Sequence, residues 1–400
     1  MTTRRDAAGS GILLFVAVCL IAANMRATIT GLGPLLDQIE SDTGLSTAAL
    51  GALASVPLAA WALVSPLAHT ASERFGLTRT VTWALAGLTA GTLLRSIPGT
   101  TANLWLGTAL IGASLAVANV LMPAVIKRDF TDRVPAVMAV YTALLGGVGA
   151  IASGIVVPIS HLPVLQGEAG WRLALLATGA LLPAAIVLWA LALRRVGAPP
   201  HRRPARAAPR TGIWADAVAW QVAAYMGLQA AAFYMLLTWL APLSISEGRS
   251  EVASGFVVML FQILTIAGSL LVPVLLRGRL ERWVPAMIPA LAIVGAVGLM
   301  LSPDTIALWA VLVGLSSGAS LGMSLTLIAS RARDPRAASA LSGMAQSVGY
   351  LIAAAGPIAF GALHSATGSW SAPLLLLAAV CLAQSAVGVA VGRPRFVLER

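Results

Sequence analysis

Charged residues are scarce in this chain. Asp, Glu, Lys and Arg make up 10% of its 400 residues, against about 25% in an ordinary soluble protein. So few charges cannot cover a water-soluble globule, which excludes a soluble enzyme, a nucleic-acid-binding domain and a disordered chain. Instead, 58% of the residues are hydrophobic and the mean hydropathy is +0.88. Runs of about 20 apolar residues, each long enough to span a bilayer, recur throughout and predict a polytopic helical membrane protein.

Lysine and cysteine are rare as well. Lys127 is the single lysine among 26 basic residues. These residues give a net charge of +11, but they lie in short loops between apolar runs, a pattern that sets membrane topology rather than nucleic-acid binding. Cys19 and Cys381 each lie inside an apolar run, so we expect two small core residues and no disulfide. The first run lacks a small-residue cleavage site and is predicted to be a retained helix.

The sequence features of an enzyme are missing from the apolar runs. They contain no cluster of metal ligands, no Ser/His pair and no paired carboxylates. The chain also has no phosphate-binding loop for ATP hydrolysis. We therefore expect no enzymatic activity, no cofactor and no metal. A channel or a sensor without turnover is an alternative to a carrier, and saturable exchange of a solute would separate the carrier from the channel.

Twelve apolar runs can be marked along the chain, with short connections within each half. Glycine and proline inside these runs are usual for membrane helices. The predicted spans are Ile12–Leu36, Ser46–Ala68, Thr78–Ile97, Thr101–Ile126, Pro135–Ile159, Trp171–Leu193, Trp214–Leu240, Val252–Leu276, Trp283–Leu301, Thr305–Ser330, Ala337–Leu363 and Trp370–Val391.

The distribution of basic residues predicts the orientation of these spans. Of the 26 basic residues, 22 lie at the termini and in alternate loops, all on one side of the membrane. The opposite side keeps only Arg95, Arg172 and Arg249, and Arg26 lies within the first span. Because basic residues accumulate in cytoplasmic loops, we expect a multi-pass plasma (inner) membrane protein with both termini and the middle loop in the cytoplasm.

The two halves of the chain repeat each other weakly. Gly112–Leu115 (GASL) recurs as Gly318–Leu321, and the same offset places Lys127 on Arg333. The Pro- and Arg-rich middle loop predicts a cytoplasmic linker at residues 196–213, between amino- and carboxyl-terminal six-helix bundles at 1–195 and 214–400. Two parallel six-helix halves around a central cavity suit alternating access, with the substrate held near the midplane.

Four short sequences resemble a known family. The stretch Ser65–Arg79 (SPLAHTASERFGLTR) is similar to the second-to-third loop signature of the major facilitator superfamily, although Ser65 stands where glycine is usual and His69 where aspartate is usual. Three further segments resemble the cyanate/2-nitroimidazole permease branch of that superfamily. They are Asn24–Pro34 (NMRATITGLGP), Asn119–Phe130 (NVLMPAVIKRDF) and Leu341–Tyr350 (LSGMAQSVGY).

The resemblance implies both a fold and a function. The implied fold is all-α, with twelve transmembrane helices in two pseudo-symmetric six-helix bundles, and with the first, fourth, seventh and tenth helices around the cavity. The implied function is secondary transport of a small polar or anionic, cyanate-like solute by a monomer in the lipid bilayer. The alternative is an efflux carrier for 2-nitroimidazole-like or other small drugs. A small-molecule substrate is the expected partner, and nucleic acid is not.

Arg26 is a charge in the middle of the first span. It is about 21 Å from the inner end of Ile12–Leu36 and about 15 Å from the outer end, at 1.5 Å per residue. Leaving it in lipid would cost at least about 2.5–3.5 kcal/mol, so it should face a wet cavity or a partner. No acidic residue lies well inside any predicted span; Asp37 and Asp216 sit at helix ends. We predict that Arg26 binds an anion or an electron-rich polar solute. The alternative is a structural arginine bonded to helix-end carbonyls or to Gln and Tyr side chains.

Other polar side chains lie within the predicted spans. For each of them, interhelical hydrogen bonding or packing is the alternative to ligand contact. The predicted substrate-binding residues beside Arg26 are Asn24, Thr30, Asn119, Gln229, Tyr234, Gln262, Gln346 and Tyr350.

Charged residues in the cytoplasmic loops mainly set topology, but some could form a gate between the halves. The gating candidates are Arg74, Lys127, Arg128, Asp129, Arg333 and Asp334. No carboxylate or histidine lies at mid-membrane depth to carry a proton. We therefore expect facilitated transport or exchange.

Overall fold

The computed structural model describes residues 3–164, 167–196 and 212–398. Most of the predicted linker 196–213 thus lies outside the described residues. The described part is helical apart from a short antiparallel pair of strands, β1 (Pro163–Val164) and β2 (Gly167–Glu168). The helices are α1 (Thr3–Thr30), α2 (Leu36–Thr43), α3 (Thr47–Phe75), α4 (Leu77–Ser96), α5 (Thr101–Asp129), α6 (Val134–Ser160), α7 (Gly170–Ala177), α8 (Leu182–Val196), α9 (Ala217–Ser246), α10 (Glu251–Leu275), α11 (Val284–Leu301), α12 (Ile306–Ser330), α13 (Pro335–Thr367) and α14 (Ser371–Val391).

Eleven helical segments among these residues are long and apolar enough to cross a membrane. They coincide with eleven of the twelve predicted spans and confirm a multi-pass helical membrane protein. The remaining predicted span, Thr78–Ile97, forms α4, whose sequence carries five threonines together with Arg79 and Arg95. These polar residues explain why α4 is less apolar than the other eleven.

Two predicted spans are interrupted helices in the structure. The first span, predicted as continuous over Ile12–Leu36, leaves helical geometry after Thr30 and passes through a 3-10 turn at Gly33–Leu35. Pro34 lacks the backbone N–H that would continue the helix. A side chain at Gly33 would overlap the carbonyl oxygen of Leu237, so the turn approaches α9 closely. The sixth span is likewise divided into α7 and α8, and a proline follows the first residue of α8.

The chain forms two compact units, which are described separately. The first contains Met1–Leu32 and Leu63–Arg206, where α1 packs against α6 and α8, and α4 packs against α5. The second contains Gly33–Ala62 and Ala207–Arg400, where α9 packs against α13, and α10 packs against α12. The segment Gly33–Ala62 thus packs with the carboxyl-terminal half. The boundaries predicted for two symmetric bundles stay a prediction.

Candidate functional site

Arg26 lies in the first unit where α1 meets α6. Its side chain is half-buried, and it packs directly on Gly149 of α6. A Cβ atom at position 149 would come within 2.6 Å of Arg26 Cγ and 3.2 Å of Arg26 Cβ. The glycine therefore provides the space in which the arginine side chain leaves α1.

The predicted neighbours of Arg26 on α1 differ in their bonding. Thr30 is fully buried; its hydroxyl donates to the carbonyl oxygens of Gly149 (2.8 Å) and Arg26 (3.2 Å), and its own carbonyl accepts from the Ser153 hydroxyl at 3.1 Å. These bonds hold α1 to α6. Asn24 is 1% exposed and donates through Nδ2 to the Leu20 carbonyl at 2.7 Å. Its Oδ1 has no hydrogen-bond partner among the described residues, which leaves a buried acceptor two residues before Arg26 in the chain.

Arg95 of α4 is a buried charge that sequence reasoning assigned to the outer side. It is 1% exposed, and its Nη1 donates to the Thr28 carbonyl at 2.8 Å. Within the described chain, its Nε and Nη2 have no hydrogen-bond partner. The helical spacing of Leu88, Gly91, Thr92 and Arg95, at i, i+3, i+4 and i+7, places all four on the buried face of α4. That spacing is the signal that could have located Arg95.

In the second unit, three aromatic side chains from three helices form a contact cluster. Trp61 of α3 lies edge-to-face with Tyr350 of α13, with ring centroids 5.2 Å apart, and with Tyr234 of α9 at 6.3 Å. We name Trp61, Tyr234 and Tyr350 the Trp61 cluster. Tyr234 and Tyr350 were predicted independently, and the structure brings them together. Sequence reasoning missed Trp61, although an amphipathic indole deep inside the predicted span Ser46–Ala68 is a usable signal.

The remaining predicted ligands are distributed over both units. Gln229 of α9 and Gln262 of α10 are 5% and 6% exposed in the second unit. Gln346 of α13 is exposed and donates to the Ser342 hydroxyl at 2.9 Å. Asn119 of α5 is an exposed residue of the first unit. Their roles as ligands stay predictions.

Several predicted gating residues interact with close sequence neighbours. Arg128 donates through Nε and Nη2 to the two carboxylate oxygens of Asp129, both at 2.7 Å. The Arg74 guanidinium lies 5.3 Å from the centre of the neighbouring Phe75 ring. Lys127, in the last turn of α5, is exposed.

The second unit contains the predicted gate residues Arg333 and Asp334, and Arg333 lies beside the carboxyl-terminal segment. Arg333 lies over the ring of Phe396 at 4.9 Å, and the Asp334 carboxylate accepts from the Ala337 backbone N–H at 2.9 Å. Arg331, another charge of this loop, donates to the Val391 carbonyl through Nε (3.1 Å) and Nη2 (2.9 Å). Burial lowers the pKa of Arg331, while nearby Glu281 opposes this change. Gating by these residues stays a prediction.

Over residues 3–164, 167–196 and 212–398, no group of three or more His, Cys, Asp and Glu side chains could hold a metal ion. Each unit by itself presents donors and acceptors of the kind that bind small solutes. The first unit has a guanidinium and an amide, and the second has amides, phenols and an indole.

Comparison with known proteins gives a family and two informative relatives. Residues 14–357 match the model of the Major Facilitator Superfamily. A 2-nitroimidazole transporter of Escherichia coli K12 is 40% identical over 385 residues, which cover 96% of each chain. The cyanate transport protein CynX of the same organism is 31% identical over 372 residues, covering 89% of this chain and 91% of the relative. These matches confirm the resemblance inferred from the short motifs.

Solved structures agree with the architecture. A nucleoside transporter superposes with a TM-score of 0.77 at 12% identity, covering 94% of this chain and 99% of that one. A D-xylose-proton symporter gives a TM-score of 0.73 at 11% identity, covering 96% and 99%. At such low identity the likeness shows the fold alone.

Proposed function

Because this chain belongs to the major facilitator superfamily, we propose that it moves a small anion or nitro compound across the plasma membrane by alternating access, with Arg26 as a substrate ligand. The chain is a multi-pass membrane transporter of small solutes, like the relatives that it matches over nearly its whole length. The solute and the role of Arg26 are the proposed part.

One observation carries the proposal. The Arg26 side chain leaves the middle of a membrane helix, is only half-buried, and occupies space provided by Gly149. A charged side chain at this depth marks a pathway for substrates or ions in membrane proteins. A guanidinium offers a planar fork of N–H donors that can hold two acceptor atoms at once. Cyanate is a small anion and a nitro group presents two oxygens, so one arginine suits both.

The two substrate classes can be ranked. Cyanate-like uptake is the function expected from the charge of Arg26. Efflux of a 2-nitroimidazole-like compound is the second candidate. Its support is the 40% identity to a 2-nitroimidazole transporter. We extend the proposal to a monomer with cytoplasmic termini that works by facilitated transport or exchange.

Transport by purified protein in liposomes tests the proposal. Labelled cyanate and labelled 2-nitroimidazole would be offered separately, without an imposed pH gradient, to wild type and to Arg26→Gln. We expect saturable transport of at least one solute. We expect Arg26→Gln to reduce it at least about tenfold, since hydrogen bonds to a charged group contribute about 1.5–3 kcal/mol.

Arg79→Gln is the matched control, because it removes the same charge from an exposed position of α4. It should transport like wild type. Transport of both solutes at the wild-type rate by well-folded Arg26→Gln would overturn the role of Arg26. If wild type transports neither cyanate nor 2-nitroimidazole, the substrate assignment is overturned.

A further inference from the structure

The indole nitrogen of Trp61 differs from those of the buried residues Trp189 and Trp239, whose N–H groups donate hydrogen bonds. Trp61 is 4% exposed, yet its Nε1 has no hydrogen-bond partner in the part of the chain that the structure describes. In the same unit, Trp239 Nε1 donates to the Pro357 carbonyl at 3.0 Å and Trp309 Nε1 to the Ser302 carbonyl at 2.9 Å. Even Trp220, with an exposed side chain, donates to the Trp214 carbonyl at 2.9 Å.

An unbonded N–H group at this position is unfavourable. A buried donor without an acceptor loses its hydration and gains no bond in exchange. Packing alone gives no reason for it, because a phenylalanine ring would fill much of the same space without a polar atom. A simpler explanation of the N–H group is that it donates to an acceptor on a solute that binds during transport.

The surroundings of this N–H group define the shape of the acceptor. The rings of Tyr234 and Tyr350 both meet the Trp61 ring edge-to-face, with interplanar angles of 74°. Behind Tyr234, the Phe233 ring stacks on Phe261 at 5.5 Å. The faces of such rings favour a flat aromatic partner, which gains by stacking or edge-to-face contact.

The α13 side of the cluster is its most exposed side. Tyr350 is half-buried, whereas Trp61 and Tyr234 are buried. One turn earlier on α13, Gln346 is exposed, and Ser342 lies a further turn back. Polar side chains of membrane helices generally face the bundle interior or a water-filled cavity. A solute that binds the cluster would pass Tyr350 and Gln346.

We propose that the Trp61 cluster selects planar heteroaromatic solutes that carry an oxygen acceptor, and that the Trp61 indole N–H donates to that oxygen while the ring packs on Tyr350 and Tyr234. This inference rests on the proposed function, since it names the class of solute that the transporter accepts. It makes Trp61 the residue that separates ring-bearing solutes from linear ones such as cyanate. The role differs from that of Arg26, whose charge is useful to both classes.

Binding measurements on the full-length protein in detergent test the role of Trp61. Trp61→Phe keeps an aromatic ring and removes only the N–H donor. Dissociation constants would be measured by equilibrium dialysis for labelled 2-nitroimidazole and for imidazole, which has the same ring without the nitro group. We expect Trp61→Phe to weaken 2-nitroimidazole binding about fivefold to tenfold, the factor that one net hydrogen bond supplies. Imidazole binding and cyanate transport should be unchanged.

Two further measurements keep the test decisive. Trp61→Phe should be at least as heat-stable as wild type, because it removes an unsatisfied buried donor; a structural tryptophan would lose stability. Trp220→Phe is the matched control, with its N–H bonded to a carbonyl at an exposed site, and should bind like wild type. If Trp61→Phe does not fold, Tyr350→Ala at the half-buried edge of the cluster should weaken 2-nitroimidazole binding, and unchanged binding would overturn the role of the cluster.

The outcomes distinguish this inference from the proposed function. Equal binding of 2-nitroimidazole by wild type and Trp61→Phe overturns the role of Trp61, while transport through Arg26 stands. An equal loss of imidazole binding also overturns it, because the nitro oxygen would then not be the acceptor. If wild type transports cyanate and does not bind 2-nitroimidazole, the aromatic class is wrong. If wild type transports neither solute, the substrate assignment itself fails.

Discussion

Two arginines of the first unit differ in burial in a way that their positions in the sequence do not predict. Arg26 lies in the middle of the first predicted span, yet its side chain is half-buried. Arg95 lies near the outer end of the third predicted span, where an arginine is expected to reach water, yet it is 1% exposed. Depth along a membrane helix therefore does not determine burial. The neighbouring helices decide it, and here they enclose the arginine nearer the helix end.

The difference follows from what each arginine meets. α1 ends at Thr30, and the Leu32 N–H donates to the Ile29 carbonyl at 3.2 Å instead of continuing the helix. The Thr28 carbonyl is thus near a helix end, where acceptors need partners from elsewhere. Arg95 supplies one, and a cation suits the negative end of a helix dipole. Arg26 is half-buried and packs on Gly149. We interpret Arg95 as a structural residue, whereas the role of Arg26 as a substrate ligand is the proposal made above.

Arg95→Ala should have the largest effect on folding. It removes the bond to Thr28 and leaves a cavity between α4 and α1, so we expect a loss of about 2–4 kcal/mol in the free energy of unfolding. Arg95→Met, similar in volume, should recover most of it, because it fills the cavity and buries no charge. Thermal or denaturant unfolding in detergent measures both. The control is Arg79→Ala at an exposed position of the same helix, and an equal change there would contradict the structural role of Arg95.

Gly149→Ala tests the space around Arg26. The added methyl group would lie 2.6 Å from Arg26 Cγ, so the arginine or α6 has to shift. Overpacking of about 1–2 kcal/mol should lower transport at low substrate concentration by about fivefold to thirtyfold. Gly147→Ala is the matched control in the same helix, since nothing lies within 4 Å of a Cβ there. Similar transport by Gly149→Ala and Gly147→Ala would contradict a role of Arg26 in substrate binding.

Thr30→Val tests whether this predicted ligand serves packing instead. The hydroxyl donates to the Gly149 carbonyl at 2.8 Å, so the substitution should cost about 1 kcal/mol of stability. Transport affinity should change little. The control, Thr142→Val, alters an exposed hydroxyl of α6 that donates to the Met138 carbonyl and should leave unfolding unchanged. A loss of affinity in Thr30→Val without a loss of stability would restore Thr30 as a ligand.

Much of the fold could be predicted from the sequence because membrane helices are local features. Each needs about 20 apolar residues in one stretch, and the basic residues between stretches keep the count consistent. The helix breaks at Gly33–Leu35 and between α7 and α8 were missed, since glycine and proline are also tolerated within intact membrane helices.

The site was less predictable because its residues meet through tertiary packing. Tyr234 and Tyr350 could each be selected as polar residues within a span. Their meeting at Trp61, whose helix is far away in sequence, depends on how α3, α9 and α13 pack, which periodicity does not reveal. Arg95 was missed for the same reason, because its burial depends on the end of a different helix.

Arg26→Gln should have the smallest effect on stability. A half-buried side chain that serves the substrate contributes little to folding, so we expect a change of less than about 0.5 kcal/mol in the free energy of unfolding, while transport falls. Measuring the free energy of unfolding of Arg26→Gln and of Arg95→Ala under the same conditions compares the two arginines directly. A cost similar to that of Arg95→Ala would mean that Arg26 also holds helices together, as in the structural alternative that the sequence left open. The loss of transport in Arg26→Gln would then report damaged packing, and the difference between the two arginines would disappear.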